Sequence, residues 1–422
     1  MIGEIIAIGN ELTSGRILNS TSYFAASHLF NAGHEISAMF TIGDEPEMIG
    51  SAIKDSIDRA DFVVVTGGLG STSDDLTNEA VAEALDRPTT LYPEIFAKIK
   101  KSKRFATMPS LEKLAWLPSG AEILKPDARM AGYLLIYNDK PVFFLPGVPH
   151  EMRELMLDRV IPRLATWQGG RTSRVRQKVF KVFGLSETEI NQRLARTENS
   201  HSQVRIGYYP VPAEVHVSLT VRGETHAETE NLFERITRDI KAALADYIYG
   251  EDDACLEGVV GQVLQERGFK LAVAESCTGG LMAHRITTVA GSSAYFLGGV
   301  VAYANELKMG LLKVADKTLD KFGAVSRETA REMAKGICLA TNADIGVAIT
   351  GIAGPTGGTP DKPVGMVCFG LAAENEIFDF VCNLHGRRDM VQTKAAMTGL
   401  DLVRRYLLGL DMGHLPAVTP PE

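Results

Sequence analysis

Short apolar runs that stop at glycine or at a polar turn, with amphipathic stretches between them, limit the fold of this chain more than any other feature. EIIAIG (4–9), EISAMFTIG (35–43), DFVVVTGG (61–68), KLAVAE (270–275) and DIGVAIT (344–350) are nearly continuous in apolar side chains and too short for helices. Runs of this kind suit strands buried on both faces. NSTSYFAASHLFNAG and PEMIGSAIKDSIDRA lie between them and carry helical periodicity; Asn19 or Ser20 offers a cap to the first and Gly33 an end. Strand and helix in alternation predict an α/β fold with mostly parallel sheets covered by helices on both sides.

A chain of 422 residues is too long for one ordinary core. The pattern divides it into 1–168, 172–249 and 252–411. TWQGGRTSR (166–174) is polar, has a Gly pair and reads as a linker. In the middle region RQKVFKVFG and EVHVSLTVRG read as strands, and SETEINQRLAR and ETENLFERITRDIKAALADY as helices. The third region repeats the α/β logic, adds a strand at PVGMVCFGLAA and closes with the helix RDMVQTKAAMTGLDLVRRYLLGL. The tail HLPAVTPPE is Pro-rich and is expected to fray. The two large regions share no repeat and are expected to be different domains.

Composition excludes several classes. With 45% hydrophobic and 23% charged residues and a net charge of -8, the chain reads as a globular protein without a polyanion-binding surface. No apolar run approaches the ~20 residues of a membrane helix. MIGEIIAIGNELTSGR lacks the basic start and cleavage site of a signal peptide. The five cysteines are dispersed, with no CxxC pair, which suggests reduced thiols in the cytoplasm. The nine histidines show no HxH, HExxH or HxxxH spacing, so a histidine-rich metal site is not expected.

VAESCTGGL (273–281) places Ser276 just past a strand end, with Cys277, Thr278, Gly279 and Gly280 expected to open a helix. The free N–H groups of a helix's first turn can hold an oxyanion or phosphate. Ser276 can be a nucleophile or merely the helix cap. A nucleophilic serine needs a base, and His284 is expected to lie too far along the helix. A lysine serves if burial lowers its pKa from ~10.4 toward neutrality. Lys308, in GGVVAYANELKMGLL, sits between a strand and a further apolar run, although an exposed helix lysine is the plainer reading. Cys277 is the rival nucleophile.

AESCTGGLMAHRIT, AGSSAYFLGGVVAYANELKMGLL, GAVSRETAREMA, ITGIAGPTGG, PVGMV and HGRRDMVQ follow one another in the order seen in the nicotinamide mononucleotide (NMN) amidohydrolase family, the C-terminal domain of the competence/damage-inducible CinA proteins. The chain resembles that family over nearly all of 252–411. The resemblance implies a cofactor-free Ser–Lys hydrolase with Ser276 as nucleophile and Lys308 as base. It would convert NMN to nicotinic acid mononucleotide and ammonia. Cys277, Thr278 and Gly279 are then candidate oxyanion and substrate contacts. Tyr303 and Asn305 are candidate ring or carboxamide contacts. The TGIAGPTGG loop (Thr350, Gly351, Gly354) and Arg388 are candidates for the phosphate. Arg388 is preferred to Arg387 from its place in the family's GxRD motif; the alternative is an Arg388 that neutralises Asp389.

VVVTGGLGSTSDDLTNEAV (63–81) sets Gly67, Gly68 and Gly70 and the paired Asp74 and Asp75 at another strand end. Glycines there can cradle a phosphate, and adjacent carboxylates can hold a divalent metal, or the stretch is a Gly-rich turn with an Asp cap. Asn10 and Glu11 in IGNELTSGR and Gly147 in LPGVPHEM supply two further strand-end loops. Together they resemble the MoaB/MogA-like molybdopterin-binding domain of CinA proteins over 1–168. Some relatives hydrolyse ADP-ribose with Mg, Mn or Co, which makes Asp74 and Asp75 the expected metal ligands. Ser71 stands where the family loop has proline, and the 126–134 segment is altered, so the pyrophosphatase is expected to be weak or absent. The middle region resembles the family's small α+β KH-like domain but lacks a GXXG loop, so no nucleic-acid partner is expected. The family suggests a homodimer. A competence-associated nucleotide-binding scaffold without N-terminal turnover is the alternative to the enzyme.

Overall fold

The computed structural model describes residues 1–101, 108–125, 132–167, 175–223, 225–374 and 376–412. Part of the linker expected at 166–174, part of the altered segment 126–134 and the tail from 413 lie outside the described residues. The chain forms two compact units, Met1–Val175 and Arg176–Glu422.

The first unit is built on a six-stranded sheet in the order Glu35–Ile42, Ile2–Ile8, Phe62–Thr66, Lys140–Leu145, Tyr133–Tyr137, Glu122–Ile123. Its first four strands are parallel and the last two antiparallel. Alternate residues of one strand feed opposite cores, as a pleat requires. Ile6, Ile8, Val63 and Val65 pack with Ile49 and Ile53 on one face, while Ile5, Phe62 and Val64 meet Ala25, Leu29 and Met152 on the other. Strand Glu35–Ile42 departs from the expectation of burial on both faces, since it forms the sheet edge and alternates half-buried with exposed positions. Asn19 caps the helix Ser20–Asn31 by accepting the Ser22 N–H at 3.0 Å.

The second unit holds two sheets. The smaller runs Val204–Val211, Glu214–Arg222, Val175–Val182, Ile248–Glu251 and packs on helices Glu187–Glu198 and His226–Leu244. The larger runs Phe296–Val301, Leu271–Glu275, Ile345–Gly351, Met366–Ala373, Glu376–Asn383. Its first three strands are parallel and the last two antiparallel, so the sheet is mixed. Helices Arg327–Thr341 and Arg388–Leu408 close over it.

The middle region packs on the third. Phe183 and Tyr249 are buried in the same core as Leu256, Leu271 and Leu400. Arg404 and Arg405 both ion-pair with buried Asp401 at 2.7 Å, and Arg404 also donates to the Asp246 carbonyl at 2.7 Å. The two regions that meet near 250 thus pack against each other through a shared core.

Candidate active site

The strand Leu271–Glu275 delivers Ser276 to its C-terminal end, where the Ser276 N–H still pairs with the Ile349 carbonyl at 2.9 Å. The helix does not open at Cys277. Gly279 and Gly280 both take positive φ, and the helix begins at Leu281. The cap belongs to Glu275. Its buried carboxylate accepts the N–H groups of Gly280 (3.0 Å), Met282 (3.1 Å) and Ala283 (2.8 Å). These donors are consumed within the protein and are not available to a ligand, contrary to the sequence-based expectation for this helix start. The Ser276 hydroxyl is left free for another task.

That hydroxyl meets Lys308. Helix Asn305–Leu312 turns Lys308 inward, leaving it 1% exposed, and its Nζ lies 3.3 Å from Ser276 Oγ. Nζ also donates to the carbonyls of Ala302 (2.8 Å) and Tyr303 (3.0 Å). Burial lowers the lysine pKa, against smaller upward pulls from Cys277 and Glu306. A neutral amine has two N–H bonds and one lone pair. As an ammonium, Nζ donates to all three oxygens; an amine that had lost one proton would keep both carbonyl bonds and turn its lone pair to Ser276 Oγ.

Cys277 turns the other way. Its side chain joins the hydrophobic core, and burial pushes the thiol pKa up to about 12. Such a thiol carries almost no thiolate at neutral pH and is not a competing nucleophile. The Cys277 carbonyl is pinned by Gln392 Nε2 at 2.8 Å, a contact the sequence did not reveal. Among the described residues, the N–H groups of Cys277 and Thr278 make no hydrogen bond to another residue, and the Gly279 N–H is spent on the Ser276 carbonyl at 3.1 Å. Thr278 Oγ1 is buried without a partner among the described residues.

Three loops expected at the site are joined by Arg388. Its guanidinium donates to the Gly354 carbonyl at 2.8 Å and to the Tyr303 hydroxyl at 3.3 Å. Asp389 is paired with Arg387 at 3.2 Å, so Arg388 is not its neutralising partner. Tyr303 and Asn305 are exposed beside Lys308. Thr350 is buried, and its hydroxyl donates to the Ala324 carbonyl at 2.7 Å, tying the GAVS turn to the strand end. Gly351 lies against the Met366–Val367 backbone.

The strand ends of the first unit form a second cluster. Gly67 and Gly68 have positive φ, and an added Cβ would meet the Ile8 carbonyl at 2.2 Å or Thr77 Oγ1 at 2.1 Å. Gly147 approaches Gly67, and the Gly67 N–H reaches the Leu145 carbonyl at 3.1 Å, so these two loops touch. Asn10 and Asp44, the latter not foreseen, bind reciprocally at 2.8 and 3.3 Å. Burial chiefly, and the charges of Glu11, Asp74 and Asp75, raise the Asp44 pKa. Asp75, against which Gly70 packs, accepts the Thr72 N–H at 2.9 Å, and both Asp74 and Asp75 take the Thr72 hydroxyl. Asp75 thus closes its own turn and does not cap the helix Thr77–Ala84. Among the described residues, no three His, Cys, Asp or Glu side chains are grouped to hold a metal ion. No described helix is long and apolar enough to cross a membrane.

Comparison with known proteins accounts for the order of these parts. Residues 4–166 match the family described as "Probable molybdopterin binding domain", 177–250 the "Damage-inducible protein CinA KH domain", and 253–407 the "CinA C-terminal domain". A CinA-like protein of Desulfotalea psychrophila is 52% identical over 408 residues, 96% of this chain and 98% of that protein. A CinA-like protein of Dictyoglomus thermophilum is 36% identical over 411 residues, 96% of this chain and 99% of that protein. The solved competence/damage inducible protein CihA from Agrobacterium tumefaciens is 38% identical and covers 36% of this chain and 93% of its own, with a TM-score of 0.35. Matched to its relatives almost from end to end, and carrying all three family domains, the chain belongs to the CinA family.

Proposed function

We propose that the C-terminal site is a Ser–Lys amidohydrolase that deamidates NMN. The observation that carries this reading is the buried Lys308 Nζ, 3.3 Å from Ser276 Oγ, with two backbone carbonyls occupying its other contacts. Ser276 Oγ attacks the carboxamide carbon and Lys308 takes the hydroxyl proton. The oxyanion is met by the N–H groups of Cys277 and Thr278. The C–N bond breaks, Lys308 returns the proton to the leaving nitrogen, and ammonia departs from an acyl-serine ester. Water, deprotonated by the same amine, attacks the ester and releases nicotinic acid mononucleotide and free Ser276. Arg388 suits the 5′-phosphate. Among the described residues two of its five donors are committed, and it begins a 21-residue helix whose N-terminal dipole end favours an anion.

For the first unit we propose nucleotide binding in the cleft formed by the loops at Asn10, Gly67 and Gly147. The reading rests on the contact between the last two loops, and no hydrolysis is assigned to it.

The test is ammonia release from NMN by the full chain, with and without chelator. Release that survives chelation and is absent from Ser276→Ala supports the amidohydrolase. No release, or release equal in Ser276→Ala, sinks it.

A further inference from the structure

A cavity of about 480 Å³ lies inside the second unit, away from Ser276. It opens between the smaller sheet, at the 183–186 turn and the 211–215 hairpin, and the 383–386 segment with helix Arg388–Leu408. The size is within the range of small-molecule sites.

Its walls are mainly apolar, supplied by Phe183, Leu185, Val215, Leu384 and Met390. The polar lining groups are Ser186, Glu189, Glu214, Asn383, His385, Lys394 and Thr398, with the Ser186 and Thr398 hydroxyls already spent on Glu189 and the Lys394 carbonyl. Asn383 Oδ1 is buried with no hydrogen-bond partner among the described residues. The Glu214 carboxylate is held in place by the Tyr249 hydroxyl at 2.7 Å and by His216 Nε2 at 2.8 Å. Glu189 adds a second carboxylate, and one of its oxygens is occupied by the Ser186 N–H at 2.8 Å. The one lysine among the lining residues, Lys394, donates to the His385 carbonyl at 2.9 Å. Two carboxylates and an orphan amide oxygen against one ammonium make an acceptor-rich, net negative lining. A buried acceptor without a donor is costly, and a ligand donor would relieve it.

We propose that this cavity is a binding site for a small organic cation with an apolar or aromatic body, its N–H donors directed to Asn383 and the carboxylates of Glu214 and Glu189. The apolar body covers Phe183, Leu185 and Met390. An anion of the same shape meets two carboxylates against the single Lys394 ammonium and is disfavoured relative to the cation.

The experiment is isothermal titration calorimetry on the full chain with three probes of one shape: 2-(1-naphthyl)ethylamine, 1-naphthaleneethanol and 1-naphthylacetate. The amine is expected to bind saturably, and more tightly than the acetate by at least roughly tenfold, as one net charge at short range provides. Ala213→Phe places a ring at the lining and is expected to abolish binding. Glu214→Gln keeps the shape and one acceptor oxygen while removing the charge, and is expected to shrink the preference for the amine over the acetate. No saturable heat with the amine, equal affinity for amine and acetate, or full binding by a folded Ala213→Phe each overturns the proposal. Binding is read as heat without NMN, so the outcome is independent of whether the Ser276 site deamidates anything.

Discussion

The carboxylate of Glu275 receives the N–H of Ala283 at 2.8 Å, eight residues ahead, so the residue before the serine caps the helix that follows it. With the Gly280 and Met282 bonds, this carboxylate shapes the whole 276–280 turn. Removing it in Glu275→Ala leaves three backbone donors without a partner. A loss of about 2 kcal/mol is expected, with a fall in Tm of about 4–8 °C. Glu275→Gln, which keeps one acceptor oxygen, should fall less. Thermal unfolding of the two variants checks this, and a Glu275→Ala protein with wild-type Tm would show that the cap is dispensable.

Ser276 and Cys277 are adjacent, and their variants should behave in opposite ways. Ser276→Ala is expected to lower ammonia release from NMN by at least roughly a thousandfold with the fold intact. Cys277→Ala removes a buried sulfur from the core, so it should cost stability of the order of 1 kcal/mol and leave most of the activity. Its backbone N–H, the part assigned to the oxyanion, is unchanged by the substitution. Loss of activity in Cys277→Ala at full folding, with retention in Ser276→Ala, would reverse the assignment.

Lys308 should act in its neutral form. Because burial lowers its pKa, the neutral fraction and hence the rate should rise with pH through that lowered value and then level off. Lys308→Arg should fail as completely as Lys308→Ala, since a guanidinium keeps its proton. The same shift has a stability signature. Between the lowered folded pKa and the unfolded value of 10.5, the unfolded chain binds more protons at this lysine than the folded one. The penalty is full below that window and fades as pH rises through it. The stability of the wild type relative to Lys308→Met should therefore increase with pH across the window, as read from denaturant unfolding. A flat difference would mean that the lysine is not perturbed.

Much of the architecture was legible because a strand buried on both faces has a simple signature. DFVVVTGG and KLAVAE each gave a strand in the middle of its sheet. The hairpin partner Val204–Val211 was missed, since VRIGYYPV is broken by glycine and proline and is partly exposed. The packing between the second and third regions was not legible, because Phe183 and Tyr249 lie on strands whose pattern does not say which core they enter. At the site, the motifs named Ser276 and Lys308, but Glu275 read as the end of a strand. A carboxylate ending an apolar run four residues before a Gly pair is the signal that could have pointed to a cap. Thr350 illustrates the opposite limit. A hydroxyl at a strand end looked like a ligand contact, and the fold had already engaged it with Ala324.

Arg388 and Arg387 offer a last contrast within one dipeptide. Arg388 bridges Gly354 and Tyr303, while Arg387 is exposed and pairs only with Asp389 among the described residues. A surface pair of the second kind is worth little. Arg387→Ala is expected to leave the KM for NMN within about twofold of the wild type, as a screened rim charge does. Arg388→Lys keeps the charge but cannot hold two loops and a phosphate at once with a planar fork, so KM should rise about tenfold or more. The effect should be confined to phosphorylated substrate. Nicotinamide riboside, which has no 5′-phosphate, should be a poor substrate, and equally poor for wild type and Arg388→Lys. Steady-state kinetics on the two substrates separate the roles. If Arg388→Lys lost activity on both substrates in equal proportion, Arg388 would be a loop brace and the phosphate would lie elsewhere.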